Sequence, residues 1–273
     1  MGSFFAAETL TKLAETRADI KSRFDKLQSL LLSRKFKSVR AEEYARQGLG
    51  RRLDEMNRAI DFIFDIVPPE QGEPPEVDNR VVTTMLLQSY FMNVQGCLDN
   101  IAWIWVYETD QRSRDGSKLS RGSVGLAQRY LLKSFSSSFR TQIRSLKKWF
   151  KHVAEFRDSA AHRIPLYIPP YFVQTSDAPE YERLGHEAVA AFQRGDMAAY
   201  DDYRAKQNAL GKFQPIISHS PVEDSPACVF HIQVLQDFLT VDEIAYKLFD
   251  EIDNFKPVPR GCFSWVARLR PWR

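Results

Sequence analysis

The chain has 273 residues, 44% of them hydrophobic and 27% charged, which is the composition of a soluble globular protein with a large core. Its three widely separated cysteines exclude a disulfide framework and a cysteine-based zinc site, and a formal net charge of +3 by itself indicates no partner. The N-terminus lacks the pattern of a signal peptide, and the most apolar run, residues 101–107, is too short to span a bilayer. We therefore expect a cytoplasmic protein without membrane, metal or cofactor, folded as one domain over residues 1–273.

Apolar residues at a spacing close to 3.6 predict three long helices in the first half of the chain. These helices run from Glu8 to Leu32, from Val39 to Val67 and from Val77 to Glu108. The third is the most apolar, so we expect it at the centre of a bundle. Gln95 and Asp99 lie one turn apart on it, and a carboxylate in so apolar a helix needs a partner.

In the second half, a polar loop from Asp110 to Gly125 and short helices precede a long helix from about Phe139 to Arg163, which Pro165 ends. The last helix begins at Asp237 or Thr240 and ends near Asp253, and the basic, aromatic tail from Arg260 to Arg273 is expected to pack on the body. Residues 166–232 predict an insertion made of a proline-rich strap (166–173), a helical segment (180–210) and a β hairpin that pairs 213–220 with 227–232. The predicted fold class is all-α, a helical bundle with extra N-terminal helices and a small inserted hairpin.

Positive charge is concentrated in one part of the chain. Between Arg112 and Ala154 there are eleven Lys or Arg residues and one acid, Asp115. Such a block is typical of a protein that binds a polyanion, and equally of a solvated basic face. Composition alone does not separate these two interpretations.

On an ideal helix, the residues from 139 to 163 divide into an apolar face and a basic face. The basic face carries Arg140, Arg144, Lys147, Lys151, Asp158 and His162, so that Asp158 is placed to orient the His162 ring. Arg157 instead points towards the apolar face, where a guanidinium needs a carboxylate or a phosphate. Two interpretations stay open: a structural ion pair of Arg157 with Asp99, or a phosphate site. Arg157 and His162 are about 140° apart around the axis, so they meet only if the last turn distorts, if their side chains reach around the helix, or if two copies share one cleft.

The segment Phe156-Arg157-Asp158-Ser159-Ala160-Ala161-His162-Arg163 resembles the Arg-x4-6-His motif of HEPN domains. HEPN domains are all-α, and many are metal-independent ribonucleases that work as dimers with paired clefts. The continuation HRIPLYIPPYF, residues 162–172, is similar to an uncharacterised bacterial branch of that superfamily. The resemblance implies that Arg157 and His162 form the catalytic pair, that Asp158 occupies the polar position after the arginine, and that RNA is cut to leave a 2′,3′-cyclic phosphate.

Two functions of different classes are therefore expected. The first is a metal-independent RNA endonuclease of HEPN type, in the class of toxin or phage-defence effectors, that acts as a homodimer and is restrained by an antitoxin or other regulatory protein. Its RNA contacts are predicted at Arg140, Arg144, Lys147, Lys151 and Arg163. The second is a non-catalytic binding or scaffold protein in which Arg157 pairs with Asp99, aided by Gln95.

Overall fold

The structure is a computed structural model that describes residues 3–113, 115–220 and 227–256. Three parts of the predictions lie outside the described residues. They are the tail from Arg260 to Arg273, the connection between the two predicted hairpin strands at 221–226, and Arg114 of the basic block.

The described chain is mainly helical, which confirms the predicted all-α class. The helices in chain order are α1 (Ala7–Ser33), α2 (Val39–Glu43), a π-helix (Tyr44–Leu49), α3 (Gly50–Ile66), α4 (Val77–Glu108), a 3₁₀ turn (Arg121–Ser123), α5 (Arg129–Leu132), α6 (Ser137–Ser145), α7 (Lys147–His162), α8 (Ala178–Gln193), α9 (Met197–Ala209) and α10 (Phe230–Asp253). Among the residues described, no helix is long and apolar enough to cross a membrane.

Helix α4 is the centre of the bundle, as its composition predicts. It contacts α2, the π-helix, α3, α7 and α10, and it buries apolar side chains on several sides, among them Phe91 and Trp105. A helix that is apolar around most of its circumference is stable in water only when other helices cover it. The ring of Phe91 stacks on Phe156 of α7 with centroids 4.7 Å apart, which ties the motif helix to the core.

Within the described residues, four short strands form two antiparallel pairs: β1 (Phe172–Val173) with β2 (Gly211–Lys212), and β3 (Ile216–Ile217) with β4 (Cys228–Val229). The β3–β4 pair is the predicted hairpin, in the register Ile216 to Val229. The β1–β2 pair was not predicted. It places Gly211 against the Tyr171 ring, where a Cβ on residue 211 would lie 2.5 Å from the ring atoms, so only glycine fits without a shift.

The predicted single helix from Phe139 to Arg163 is wrong, because the helix is interrupted at Leu146, whose ψ is 7°. The hydroxyl of Ser145 donates to the Gln142 carbonyl at 2.7 Å, and such local bonds compete with the helical ladder. The predicted basic face is therefore divided. Two of its cations belong to α6 and two to α7, and they do not follow one helical face.

The predicted start of the last helix is also wrong. Helix α10 begins at Phe230, and only residues 228–229 of the predicted strand 227–232 are extended. Asp237, which the sequence placed at the helix N-terminus, lies inside α10 and is fully buried. Burial in the core favours a helix over a strand from residue 230 onwards, because Phe230, Val234 and Phe238 recur at helical spacing and all are buried.

The helical composition of 180–210 corresponds to two helices, α8 and α9, separated at Gly195, whose φ of 75° suits glycine. These helices pack chiefly on each other. The buried residues Leu184, Ala188 and Ala191 of α8 form no part of the main core cluster. The strap that precedes α8 does reach that core, through Leu166 and Ile168.

Candidate functional site

The motif residues lie in the C-terminal half of α7, which is held by one buried face. Val153, Phe156 and Ser159 are buried at helical spacing, so the rotation of α7 about its axis is set by packing against α4. The helix is regular up to His162, and the backbone becomes extended at Arg163, whose N–H donates to the Ser159 carbonyl. The distortion of the last turn that would bring Arg157 towards His162 is therefore not present.

Arg157 is half-buried and has an incomplete set of partners. Its Nη1 lies 3.1 Å from a carboxylate oxygen of Asp158, and its Nε is buried without a hydrogen-bond acceptor among the described residues. Neighbours at i and i+1 do not face each other on a helix, so this ion pair forms at the helix edge, where solvent weakens it. Arg157 therefore keeps one buried donor, Nε, that no described residue accepts from, next to an ion pair with Asp158 that solvent weakens.

The predicted ion pair between Arg157 and Asp99 is not formed. The Asp99 carboxylate instead accepts a hydrogen bond from Gln95 Nε2 at 3.0 Å, on the same side of α4 as predicted. Partial burial raises the pKa of Asp99, while the Gln95 hydrogen bond and the charges of Arg157 and Arg52 oppose this rise. Arg157 therefore lies close enough to Asp99 to influence it without contact.

His162 is separated from the other two motif residues. The carboxylate of Asp158 binds Arg157, and within the described part of the chain His162 has no hydrogen-bond partner, so the predicted orientation of the ring by Asp158 is wrong. His162 is exposed, and on the regular helix it lies about 140° from Arg157. One chain by itself therefore does not assemble the Arg–His pair.

The predicted RNA-binding cations lie on α6, on α7 and at the residue after α7. Arg144, Lys147, Lys151 and Arg163 are exposed, and Arg140 is half-buried. Lys151 pairs with Glu155 at 3.4 Å, whereas the other four form no ion pair with any described residue. On α7, Lys147 and Lys151 lie within about 60° of His162, so these two share its face.

An exposed apolar stripe on α4 lies beside the motif, and sequence reasoning missed it. Val81, Met85 and Met92 fall within about 40° of one another on the helix and are between 42% and 64% exposed. Gln88, on the same side, donates to the Leu166 carbonyl at 3.1 Å, which places the stripe next to the chain that leaves α7. Ile164, in that chain, is 48% exposed. The sequence does indicate such a stripe, because α4 has more apolar residues than one core-facing side can bury.

The described residues contain no group of three or more His, Cys, Asp or Glu side chains arranged to hold a metal ion. No protein-family model, curated protein or solved structure matches the chain. The similarity to HEPN domains consequently rests on Arg157, Asp158, His162 and the residues around them.

Proposed function

We propose that the protein is a metal-independent RNA endonuclease whose active centre is completed by a second copy of the chain. The observation that carries this proposal is the state of Arg157. Its Nε is a buried donor that no described residue accepts from, in a helix that ends on an exposed histidine with basic side chains near it. A buried guanidinium donor requires an anionic acceptor, and the phosphate of RNA supplies one.

The proposed chemistry uses the nucleophile that RNA itself carries. The 2′-oxygen attacks the adjacent phosphorus and loses its proton, the bond from phosphorus to the 5′-oxygen breaks, and the leaving oxygen gains a proton. The products are a 2′,3′-cyclic phosphate and a 5′-hydroxyl. His162 transfers protons, since the two nitrogens of an imidazole ring can donate and accept them, and Arg157 stabilises the charge that develops on the phosphorane oxygens.

A two-fold dimer is part of the proposal because one chain keeps Arg157 and His162 on different faces. Packing the stripe of Val81, Met85 and Met92 against its copy would bury exposed apolar surface next to both motifs. The Arg157 of one protomer and the His162 of its partner would then face a common cleft. A regulatory partner of antitoxin type belongs to the same proposal, because an unrestrained ribonuclease damages its own cell.

The test is RNA cleavage in EDTA by the wild-type chain and by His162→Ala. Loss of cleavage in His162→Ala is expected, with retained folding, because position 162 is an exposed helix end. His186→Ala, at another exposed histidine on α8, is the matched control and should cut normally. Cleavage that disappears in EDTA, or that His162→Ala retains, contradicts the proposal.

Mixing two inactive variants tests the shared centre. A heterodimer of Arg157→Ala and His162→Ala has one centre with neither residue and one centre with both. A statistical mixture should recover about one quarter of wild-type activity. If each variant is inactive and the mixture stays inactive although the subunits exchange, the pair acts within one chain and the composite centre is wrong.

A scaffold without activity is the second candidate, because Asp99 lies under the influence of both Arg157 and Arg52. In that case Arg157→Ala would destabilise the protein by more than the loss of the Asp158 pair explains, and its effect would couple to that of Asp99→Ala in a double-mutant cycle. For the exposed Arg157–Asp158 pair alone, we expect a loss below about 1 kcal/mol.

A further inference from the structure

Three aromatic rings line a second cleft of about 460 Å³, one to two turns along α4 from Asp99. Trp103 and Tyr107 of α4 stack with centroids 5.1 Å apart and planes at 21°, and Tyr44 of the π-helix lies 6.0 Å from Trp103 and 5.4 Å from Tyr107. All three rings are half-buried, so each keeps part of its surface open to solvent. The stacked pair therefore presents only part of its aromatic surface to the cleft.

The backbone of the π-helix packs closely on α4 at the base of a recess beside these rings. Gly48 of the π-helix approaches α4 so closely that a Cβ there would lie 2.9 Å from the Asn100 side chain. Asn100 Nδ2 is buried and has no acceptor among the described residues, and it lines a recess shared with Arg40 and Tyr44. Single-turn π-helices are frequent at functional sites. An unsatisfied amide donor next to open aromatic rings indicates a ligand that provides an acceptor.

The walls of the cleft are positively charged. Arg40, Lys118 and Arg121 are exposed and pair with no carboxylate in the part of the chain that the structure describes. The Arg40 guanidinium lies over the Tyr107 ring at 5.4 Å and donates to its hydroxyl at 3.3 Å, so it is held at the edge of the stacked pair. Arg112 already pairs with Asp110. The open cations therefore line the same cleft as the aromatic rings.

We propose that this cleft binds a nucleotide, with the base on the Trp103–Tyr107 surface and the phosphate between Arg40, Lys118 and Arg121. Flat aromatic surfaces accept any base by stacking, and arginine recognises phosphate through its planar fork of donors. Phosphate alone would make no contact with the aromatic rings, and an acidic peptide would provide no planar base to stack on them. The source is a free nucleotide or one nucleotide of an RNA chain. The inference does not rest on the proposed function, because neither Arg157 nor His162 lines the cleft.

Calorimetric titration of the full-length His162→Ala chain tests the proposal with three probes. The probes are ATP, ribose 5-phosphate and a 2′-O-methyl oligoadenylate that the proposed cleavage chemistry does not consume. ATP or the oligonucleotide should bind at least about tenfold more tightly than ribose 5-phosphate, since stacking contributes about that factor per base. Binding of ATP assigns the site to free nucleotides, and binding of the oligonucleotide alone assigns it to RNA. Equal binding of ribose 5-phosphate, or binding of none of the three, overturns the proposal.

Variants then locate the site. Trp103→Leu should weaken binding about tenfold, and Trp103→Phe should restore most of it. Arg40→Gln with Arg121→Gln, both at exposed positions where folding is tolerant, should weaken binding and reduce its dependence on salt. Arg194→Gln, at an exposed arginine on the turn between α8 and α9, is the control for the loss of a surface arginine away from the cleft and should change neither. If the double Gln variant binds like Arg194→Gln, or if Trp103→Leu keeps wild-type affinity, the cleft is not a nucleotide site.

Discussion

Asp237 is predicted to make the stability of the protein depend on pH through a single buried carboxyl group. Its side chain is fully buried in α10 and accepts hydrogen bonds from Trp149 Nε1 at 2.7 Å and from Gln233 Nε2 at 2.6 Å. Its other oxygen has no partner among the described residues. Burial raises the pKa of Asp237 to about 7, although both hydrogen bonds oppose the rise. Since Trp149 belongs to the first turn of α7, this carboxyl also joins the motif helix to α10.

The sign and size of the effect follow from linkage. The pKa of Asp237 is higher in the folded protein than the value of about 3.9 in the unfolded chain, so its contribution to stability is present below about pH 4 and is lost as the pH rises through 7. One pH unit corresponds to about 1.4 kcal/mol, which gives about 4 kcal/mol over the whole range and about 3 kcal/mol between pH 5 and pH 8. Asp237→Asn preserves an acceptor for Trp149 and removes the titration.

Urea denaturation of the wild-type chain and of Asp237→Asn, at several pH values between about 5 and 8, measures this contribution. The free energy of unfolding of the variant minus that of the wild type should increase by about 3 kcal/mol across the range, because every other titrating group cancels in the difference. Asp201→Asn, at an exposed carboxylate of α9, is the matched control and should give a flat difference. A difference for Asp237→Asn that is also flat would refute the assignment of a raised pKa to this buried group.

Two further predictions concern acid stability and RNA binding. Burial lowers the pKa of His231 to about 4, and its Nε2 lies 2.7 Å from the Val67 carbonyl. Its contribution to the stability of the folded protein is therefore present above about pH 6.5 and is lost as the pH falls through 4. In urea titrations, His231→Gln should reduce the loss of unfolding free energy at low pH by up to about 3 kcal/mol. If the variant loses as much unfolding free energy in acid as the wild type does, this prediction is wrong. Changing four of the predicted RNA-binding cations to Gln (Arg140, Arg144, Lys147, Lys151) in the His162→Ala chain should weaken the binding of every RNA similarly. It should also lower the salt slope by about 0.7 per lost phosphate contact, measured by titration at several salt concentrations. If the quadruple variant and its parent chain show the same salt dependence of RNA binding, these cations form a solvated surface and do not contact RNA.

The sequence alone predicts those elements in which the spacing of the apolar residues and the residues at both ends indicate the same structure. Helix α4 has the predicted bounds, Val77–Glu108, because its apolar residues extend around the helix, a proline-containing loop precedes it and a polar Gly/Ser loop follows it. The proximity of Gln95 and Asp99 follows from the same 3.6-residue period. The β3–β4 hairpin was predicted from two short β-like runs with a turn-rich connection.

Tertiary structure decided what depends on packing between distant segments. The early start of α10 at Phe230 and the burial of Asp237 are not local properties, because each is determined by which side chains the core covers. The same reason separates the two sites. Arg157 and His162 are close in sequence but lie on different faces of a regular helix, whereas Tyr44, Trp103 and Arg121 are far apart in sequence and meet because α4 brings the π-helix and the following loop together.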